Sequence, residues 1–246
     1  MLELTILSPH RDDAAFSLSV ALLQWCRQPV KLRVVNFFSK SEYGPRALPV
    51  QRSTISESRK REDHSALGLI DPGIRITTFG LLDAPLRFGV SASAVCRPET
   101  ADLQGVDEIQ YLASQIRKYF VHGLVLAPLA LGGHVDHLAV NQAALASCRN
   151  HQLGFYEDLP YATWTPEASL RERVSFAEER ARVTLKSYVI GSHDRAMPKK
   201  LRVISRYRTQ ISREEGVAIA RFAFKYGGGE RIWIPSHSTR WRPLVQ

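Results

Sequence analysis

Two short stretches of the chain concentrate residues that bind metals and move protons. The first is Ser8-Pro9-His10-Arg11-Asp12-Asp13-Ala14, and the second is Gly132-Gly133-His134-Val135-Asp136-His137. Alone, the first reads equally well as a helix start, with Asp12 or Asp13 as the cap and His10 as a loop residue. In the second, His134 and His137 share a face if they lie on a helical turn. Together the stretches offer more. One His and one carboxylate from the first, with one His from the second, make a three-ligand N/O site. Such a set leaves a fourth position for water, the pattern of catalytic rather than structural zinc. Asp12 is then left over beside the metal, where a carboxylate can take a proton from water. His134 is also left over, placed to stabilise an oxyanion or protonate a leaving amine. Asp136 can orient one of the rings through its second nitrogen.

The elements around these stretches fit that use. Leu4–Leu7 reads as a buried strand directly before the first stretch, and Ala14–Cys26 has apolar residues at helical spacing directly after it. Leu124–Ala127 is a strand shortly before the second stretch, and Val135–Cys148 a helix opening within it. Further strands are expected over Leu32–Phe38 and Ile74–Phe79, with helices over Ser53–Leu69 and Val106–Phe120. Strands alternating with helices predict an α/β fold with a mostly parallel sheet covered on both faces, a Rossmann-like three-layer sandwich. In such a sheet ligands bind beyond the carboxyl ends of the strands. The stretches 39–51 and 84–103 read as loops that border a site. The last third reads as mainly helical, over Pro166–Ser187, Lys199–Gln210 and Arg213–Tyr226. The chain is expected to form one domain, with residues 1–160 as the core and 161–246 as a basic helical part.

Composition narrows the class. Hydrophobic residues make up 44% and charged residues 23%, which excludes a disordered chain. No apolar run approaches the roughly 20 residues that span a bilayer, and the N-terminus lacks the basic start of an export signal. Cys26, Cys96 and Cys148 are few and far apart, so a cytoplasmic location without disulfides is expected. The net charge is +9, and residues 161–246, with 17 Lys and Arg against 8 Asp and Glu, hold all of it. No basic run with interleaved aromatics accompanies it, so a nucleic-acid partner is not expected. The excess either solvates helices or, through residues such as Arg206 and Arg208, attracts an anionic or carrier-linked substrate. Homo-oligomerisation is compatible with the sequence.

The segments Pro9-His10-Arg11-Asp12-Asp13 and His134-Val135-Asp136-His137 resemble the paired motifs of the PIG-L (LmbE-like) deacetylase family. Arg59-Lys60-Arg61-Glu62 resembles its helical R-x-x-E, and Leu82–Arg87 its loop after the third strand. Tyr156–Tyr161, Lys200–Gln210 and Glu230–Trp233 are similar to late segments of one branch. The resemblance implies a Rossmann-like sheet and a single zinc ion held by His10, Asp13 and His137. It implies Asp12 as general base and His134 as electrostatic catalyst or general acid. Arg59 and Asp83 match sugar-contacting positions, and Arg87 is a further candidate for substrate binding. The implied reaction is removal of an N-acyl group, chiefly N-acetyl, from an amino sugar. An amidase acting on a non-sugar amide or a long-chain N-acyl conjugate is the alternative, and an inactive sugar-binding protein fits less well with so complete a residue set. Two departures stand out. Arg11 occupies a position that is often Pro or Leu, where a guanidinium would oppose a high pKa at Asp12. Gly132 stands where some relatives have a Tyr that holds the oxyanion, leaving Tyr156 and Tyr161 as candidates for that role.

Overall fold

The computed structural model describes residues 1–46, 54–119, 123–191 and 196–245. Strand β1 (Leu2–Ser8) leads into α1 (Asp13–Trp25), β2 (Val30–Asn36), α2 (Ile55–Ile70) and β3 (Arg75–Thr78). Two short helices, α3 (Ala84–Phe88) and α4 (Pro98–Ala101), precede α5 (Val106–Tyr119) and β4 (Leu124–Pro128). Then come α6 (Val135–Ser147), β5 (Leu153–Tyr156), α7 (Glu167–Ala181), β6 (Leu185–Ile190), α8 (Ala196–Ile204), α9 (Arg213–Phe222), β7 (Glu230–Pro235) and α10 (Arg242–Val245).

The seven strands form one sheet in the order β3-β2-β1-β4-β5-β7-β6. The first five run parallel, while β7 pairs antiparallel with both β5 and β6. Helices α1, α2 and α8 pack together, as do α5, α6 and α7. This mostly parallel α/β sheet between helices is the expected fold. The central strands are largely apolar because both faces are covered: β4 is buried at all five residues, and β1 from Leu4 onward.

The last third departs from a purely helical reading. The helix expected over Pro166–Ser187 stops at Ala181, with Arg182 in a left-handed conformation (φ 53) as its cap, and the chain continues as β6. Edge strand β6 mixes buried ends with exposed Lys186 and Val189 and half-buried Ser187 and Tyr188, unlike the fully buried β4. The loop expected over 39–51 lies partly outside the described residues, and 84–103 contains α3 and α4.

The C-terminal elements also clasp α1. Lys200 Nζ donates to the Phe16 carbonyl at 2.6 Å and pairs with Glu230, whose other oxygen accepts the Ala21 N–H at 2.8 Å. The Trp25 indole donates to the Leu244 carbonyl at 2.9 Å. No helix among the described residues is long and apolar enough to cross a membrane.

Candidate metal centre and pocket

Strand order reverses between β1 and β4, and both motif stretches emerge at their carboxyl ends, the crevice such sheets use for ligands. The opening of α1 is satisfied by Ser8. Its hydroxyl accepts the Ala14 N–H at 3.1 Å and donates to the His10 carbonyl at 2.5 Å. Asp12, at the helix N-cap position, makes no capping bond with its side chain, so the reading of the acidic pair as mere caps fails. After β4 the chain turns through three left-handed residues, Ala130 (φ 60), Gly132 (φ 74) and Gly133 (φ 75). Glycine supplies that conformation without strain. The turn delivers His134 as N-cap of α6, where its Nδ1 accepts the Asp136 N–H at 3.1 Å.

His10, Asp13 and His137 converge, with one donor atom of each lying within 4.8 Å of the others. His10 Nδ1 and His137 Nε2 each stand 3.4 Å from the same Asp13 oxygen. Each ring is held from behind. His10 Nε2 meets Asp136 Oδ2 at 2.8 Å, and His137 Nδ1 meets Asp158 Oδ2 at 2.8 Å. Asp136 is fixed in turn by the Ala84 N–H and the Arg87 guanidinium, and Asp158 by the Leu131 N–H at 3.1 Å.

Burial disfavours charge on His10, but the hydrogen bonds and charges of Asp13 and Asp136 outweigh it and raise its pKa to about 10. His137 is likewise raised against burial by Asp13 and Asp158. The field at this point therefore attracts a cation. His134 behaves oppositely: burial, then the neighbouring His10 charge, holds it well below the usual range. It is neutral, and because Nδ1 accepts a backbone N–H, its proton sits on Nε2.

A divalent metal fits these donors. His137 Nε2 is fully buried with no hydrogen-bond partner among the described residues, an orphan that a metal would satisfy. The two 3.4 Å separations match the roughly 3.3 Å edge of a tetrahedron with zinc–ligand bonds of about 2.0–2.1 Å.

The centre opens into a cavity of about 310 Å³ lined by His10, Asp12, Asp13, Arg59, Asp83 and His134 among others. Buried Arg59 reaches Asp12 Oδ1 at 3.3 Å and the Ser41 hydroxyl at 3.1 Å, rather than pairing with Glu62 or Asp63 on its own helix. Asp83 caps α3 through the Leu86 N–H and lines the cavity as well. Arg87 does not line it. Its guanidinium lies over the Phe38 ring at 4.4 Å and bonds Asp136 and Glu108, so it holds the His10 support instead of facing substrate.

Arg11 turns away from Asp12. It is buried with Asp63 at 3.8 Å and Thr78 at 3.5 Å, in a pocket completed by Asn36 and Tyr207. Burial raises Asp63 to about 7 against the pull of Arg11. Tyr156 donates to the Leu7 carbonyl at 2.9 Å and is fully buried, which removes it from the pocket, whereas Tyr161 lines the wall. Neither Arg206 nor Arg208 lines it; Arg208 borders a separate groove with Arg46, Arg202 and Arg213.

Several residues of the site carried no signal that sequence reasoning used. Ser8 and Asp158 each lie beside recognisable motif residues, and only the place of Asp158 just past the carboxyl end of β5 marks it. Tyr43, Trp164, Gln210 and Glu215 complete the wall from three separate regions.

A mostly parallel sheet that gathers a His–Asp–His donor set where its strand order reverses defines an α/β protein suited to a divalent metal. The chain belongs to the GlcNAc-PI de-N-acetylase (PIG-L) family, whose model matches residues 5–148. A 2'-N-acetylparomamine deacetylase of Streptomyces fradiae is 33% identical over 161 residues, 64% of this chain and 57% of that protein, so the match spans little more than half of that relative. The zinc-inhibited form of a teicoplanin deacetylase has the same fold, with a TM-score of 0.66 at 21% identity over 96% of this chain and 100% of that one. An N,N'-diacetylchitobiose deacetylase from Pyrococcus horikoshii shares it at TM-score 0.59 and 17% identity, over 95% and 84%.

Proposed function

We propose that the protein is a cytoplasmic zinc-dependent N-deacetylase that hydrolyses the N-acyl group, chiefly N-acetyl, of an amino sugar. The observation that carries this reading is the orphaned His137 Nε2, aimed with His10 Nδ1 at one oxygen of Asp13 on the floor of an open pocket. The family and the paromamine-deacetylase relative supply the substrate class.

His10, Asp13 and His137 would hold the zinc, which supplies Lewis acidity towards an amide carbonyl and eases the ionisation of water. Asp12 lies at the pocket surface with one oxygen steadied by Arg59. It takes the proton as water attacks the carbonyl carbon, then returns it to the departing nitrogen as the C–N bond breaks. His134, neutral with its proton on Nε2, donates to the acyl oxygen as negative charge gathers there. This tautomer supports the electrostatic role over that of general acid. Asp136 and Asp158 hold the two ligand rings in orientation, while Arg59 and Asp83 offer hydrogen bonds to sugar hydroxyls. The lining sets Asp12, Asp13, Asp83 and Glu215 against Arg59 and the divalent ion it would hold, a small negative balance. That balance favours neutral or cationic amino sugars over anionic, carrier-linked ones.

The test is a panel of N-acetylated amino sugars, neutral, amine-bearing and phosphate-bearing, assayed for released acetate with metal-free and zinc-loaded protein. Zinc-dependent release from a neutral or amine-bearing sugar is expected, with Asp12→Asn at least about 10²-fold slower and zinc retained. No release from any sugar, or cleavage only of non-sugar amides, overturns the reading.

A further inference from the structure

The side chain of Asp12 is held by little of its own. It makes no capping bond to α1, and its partner among the described residues is Arg59 at 3.3 Å. Its direction is therefore set by the backbone that carries it. Hydroxyls pin that backbone at two successive carbonyls. Ser8 donates to the His10 carbonyl at 2.5 Å, and Tyr207 donates to the Arg11 carbonyl at 3.3 Å.

The contacts of Arg11 close on themselves. The Tyr207 hydroxyl is shared between the Arg11 carbonyl and Asp63 Oδ1, at 3.1 Å from the latter. Asp63 Oδ2 faces the Arg11 guanidinium at 3.8 Å and accepts the Asn36 amide at 2.7 Å. One carboxylate and one phenol thus grip residue 11 at both its carbonyl and its side chain. Arg11, Asn36, Asp63 and Tyr207 are all buried, where such contacts are not exchanged for water. The Tyr207 ring is itself set against Phe16 of α1, edge-on at 5.1 Å between centroids. Asp63 lies one helical turn after Arg59, so α2 presents the two on one face. Arg59 takes hold of Asp12 and Asp63 takes hold of Arg11, adjacent residues of the loop.

We propose that Arg11, Asp63 and Tyr207 form a positioning unit for Asp12: by fixing the peptide that precedes it, they hold its carboxylate in the pocket at the angle that proton transfer needs. The proposal rests on the deacetylase reading above. It brings Tyr207, 196 residues further along the chain, into the support of the first motif. None of the three residues lines the catalytic cavity, so the unit acts through Asp12 and not on the sugar.

Tyr207→Phe keeps the ring against Phe16 and removes only the hydroxyl. The assay uses the N-acetylated sugar that the wild type cleaves fastest. With zinc content equal to wild type, kcat is expected to fall by about 10-fold, since a small misplacement of a reacting group is costly. KM should stay within about twofold, because the pocket lining is untouched. In an Asp12→Asn background the same substitution should cost nothing further, since the base it aims is already gone. Asp63→Asn should act in the same direction. Where it does not fold with Arg11 left unpaired, Arg11→Leu combined with Asp63→Asn removes both charges and carries the same expectation. Unchanged kcat in the folded variants overturns the positioning unit. So does a Tyr207→Phe loss of equal factor in both backgrounds, or a loss confined to KM or to zinc content. An inactive wild type refutes the deacetylase reading and this inference with it, whereas an active wild type with indifferent variants refutes the unit alone.

Discussion

Around the ends of β1 and β4, each buried charge is partnered by another group of the same centre. In the C-terminal third, charges stand in water or pair to hold helices. Arg87, Asp136 and His10 form one relay of contacts and Asp158 with His137 another, both ending on Asp13. By contrast Lys186, Arg202, Arg208, Arg213 and Arg221 are exposed, and the buried pair Lys200–Glu230 spends its hydrogen bonds on the backbone of α1. The lesson is that the charge excess and the chemistry lie in different places. A net charge read from composition therefore describes the outer surface and not the pocket.

The comparison breaks most visibly if the donors are removed. Replacing His10, Asp13 or His137 with Ala should abolish both bound metal and activity, because two remaining ligands rarely retain zinc. Metal analysis of the purified variants checks this, and full occupancy in all three would defeat the assignment. Asp158→Asn should leave the fold intact while weakening metal affinity by about 10–100-fold, since the His137 ring loses its anionic support. A chelator-competition titration reads that shift.

The C-terminal region should answer through stability instead. Lys200→Met strands Glu230 and the Phe16 carbonyl in a buried setting, a loss of about 3–5 kcal/mol by the usual cost of breaking a buried pair. Urea denaturation measures it, with metal affinity of the still-folded protein expected to hold. The smallest effect belongs to the surface. Arg208→Gln should leave kcat/KM for a neutral N-acetyl sugar within about twofold at low and high salt, as exposed charges outside the pocket act weakly and are screened. A large, salt-sensitive loss would instead bring the basic groove into substrate binding.

Much of this was legible in the sequence, for physical reasons that also mark its limits. The central strands announce themselves because parallel strands covered on both faces are continuous apolar runs, as in Leu4–Leu7 and Leu124–Ala127. The two motifs are visible because their residues are close in sequence. The first half of β6, Leu185–Ser187, reads as the end of a helix because Lys186 and Ser187 give the mixed pattern of an edge directly after the charged face of α7. Asp158 gives no sign of its role in the sequence, since its partner lies 21 residues away and no spacing rule links them. The direction of Arg11 was open for the same reason. What turns it from Asp12 is Asp63 on α2, a pairing that only the tertiary fold creates. Arg87 went the other way: a charged loop residue beside a pocket looks like a substrate contact until Asp136 is seen beneath it.

The clasp on α1 bears on how the molecule comes into being. The backbone groups of Phe16 and Ala21, close behind His10 and Asp13, are made well before the Lys200 and Glu230 that they bond. At translation speeds of about 5–20 residues per second, some 200 further residues take roughly 10–40 s to arrive. Through that interval the candidate metal ligands His10 and Asp13 stand at the start of a helix whose C-terminal partners have not yet been made. The corner that bears them is thus made long before the contacts that clasp it.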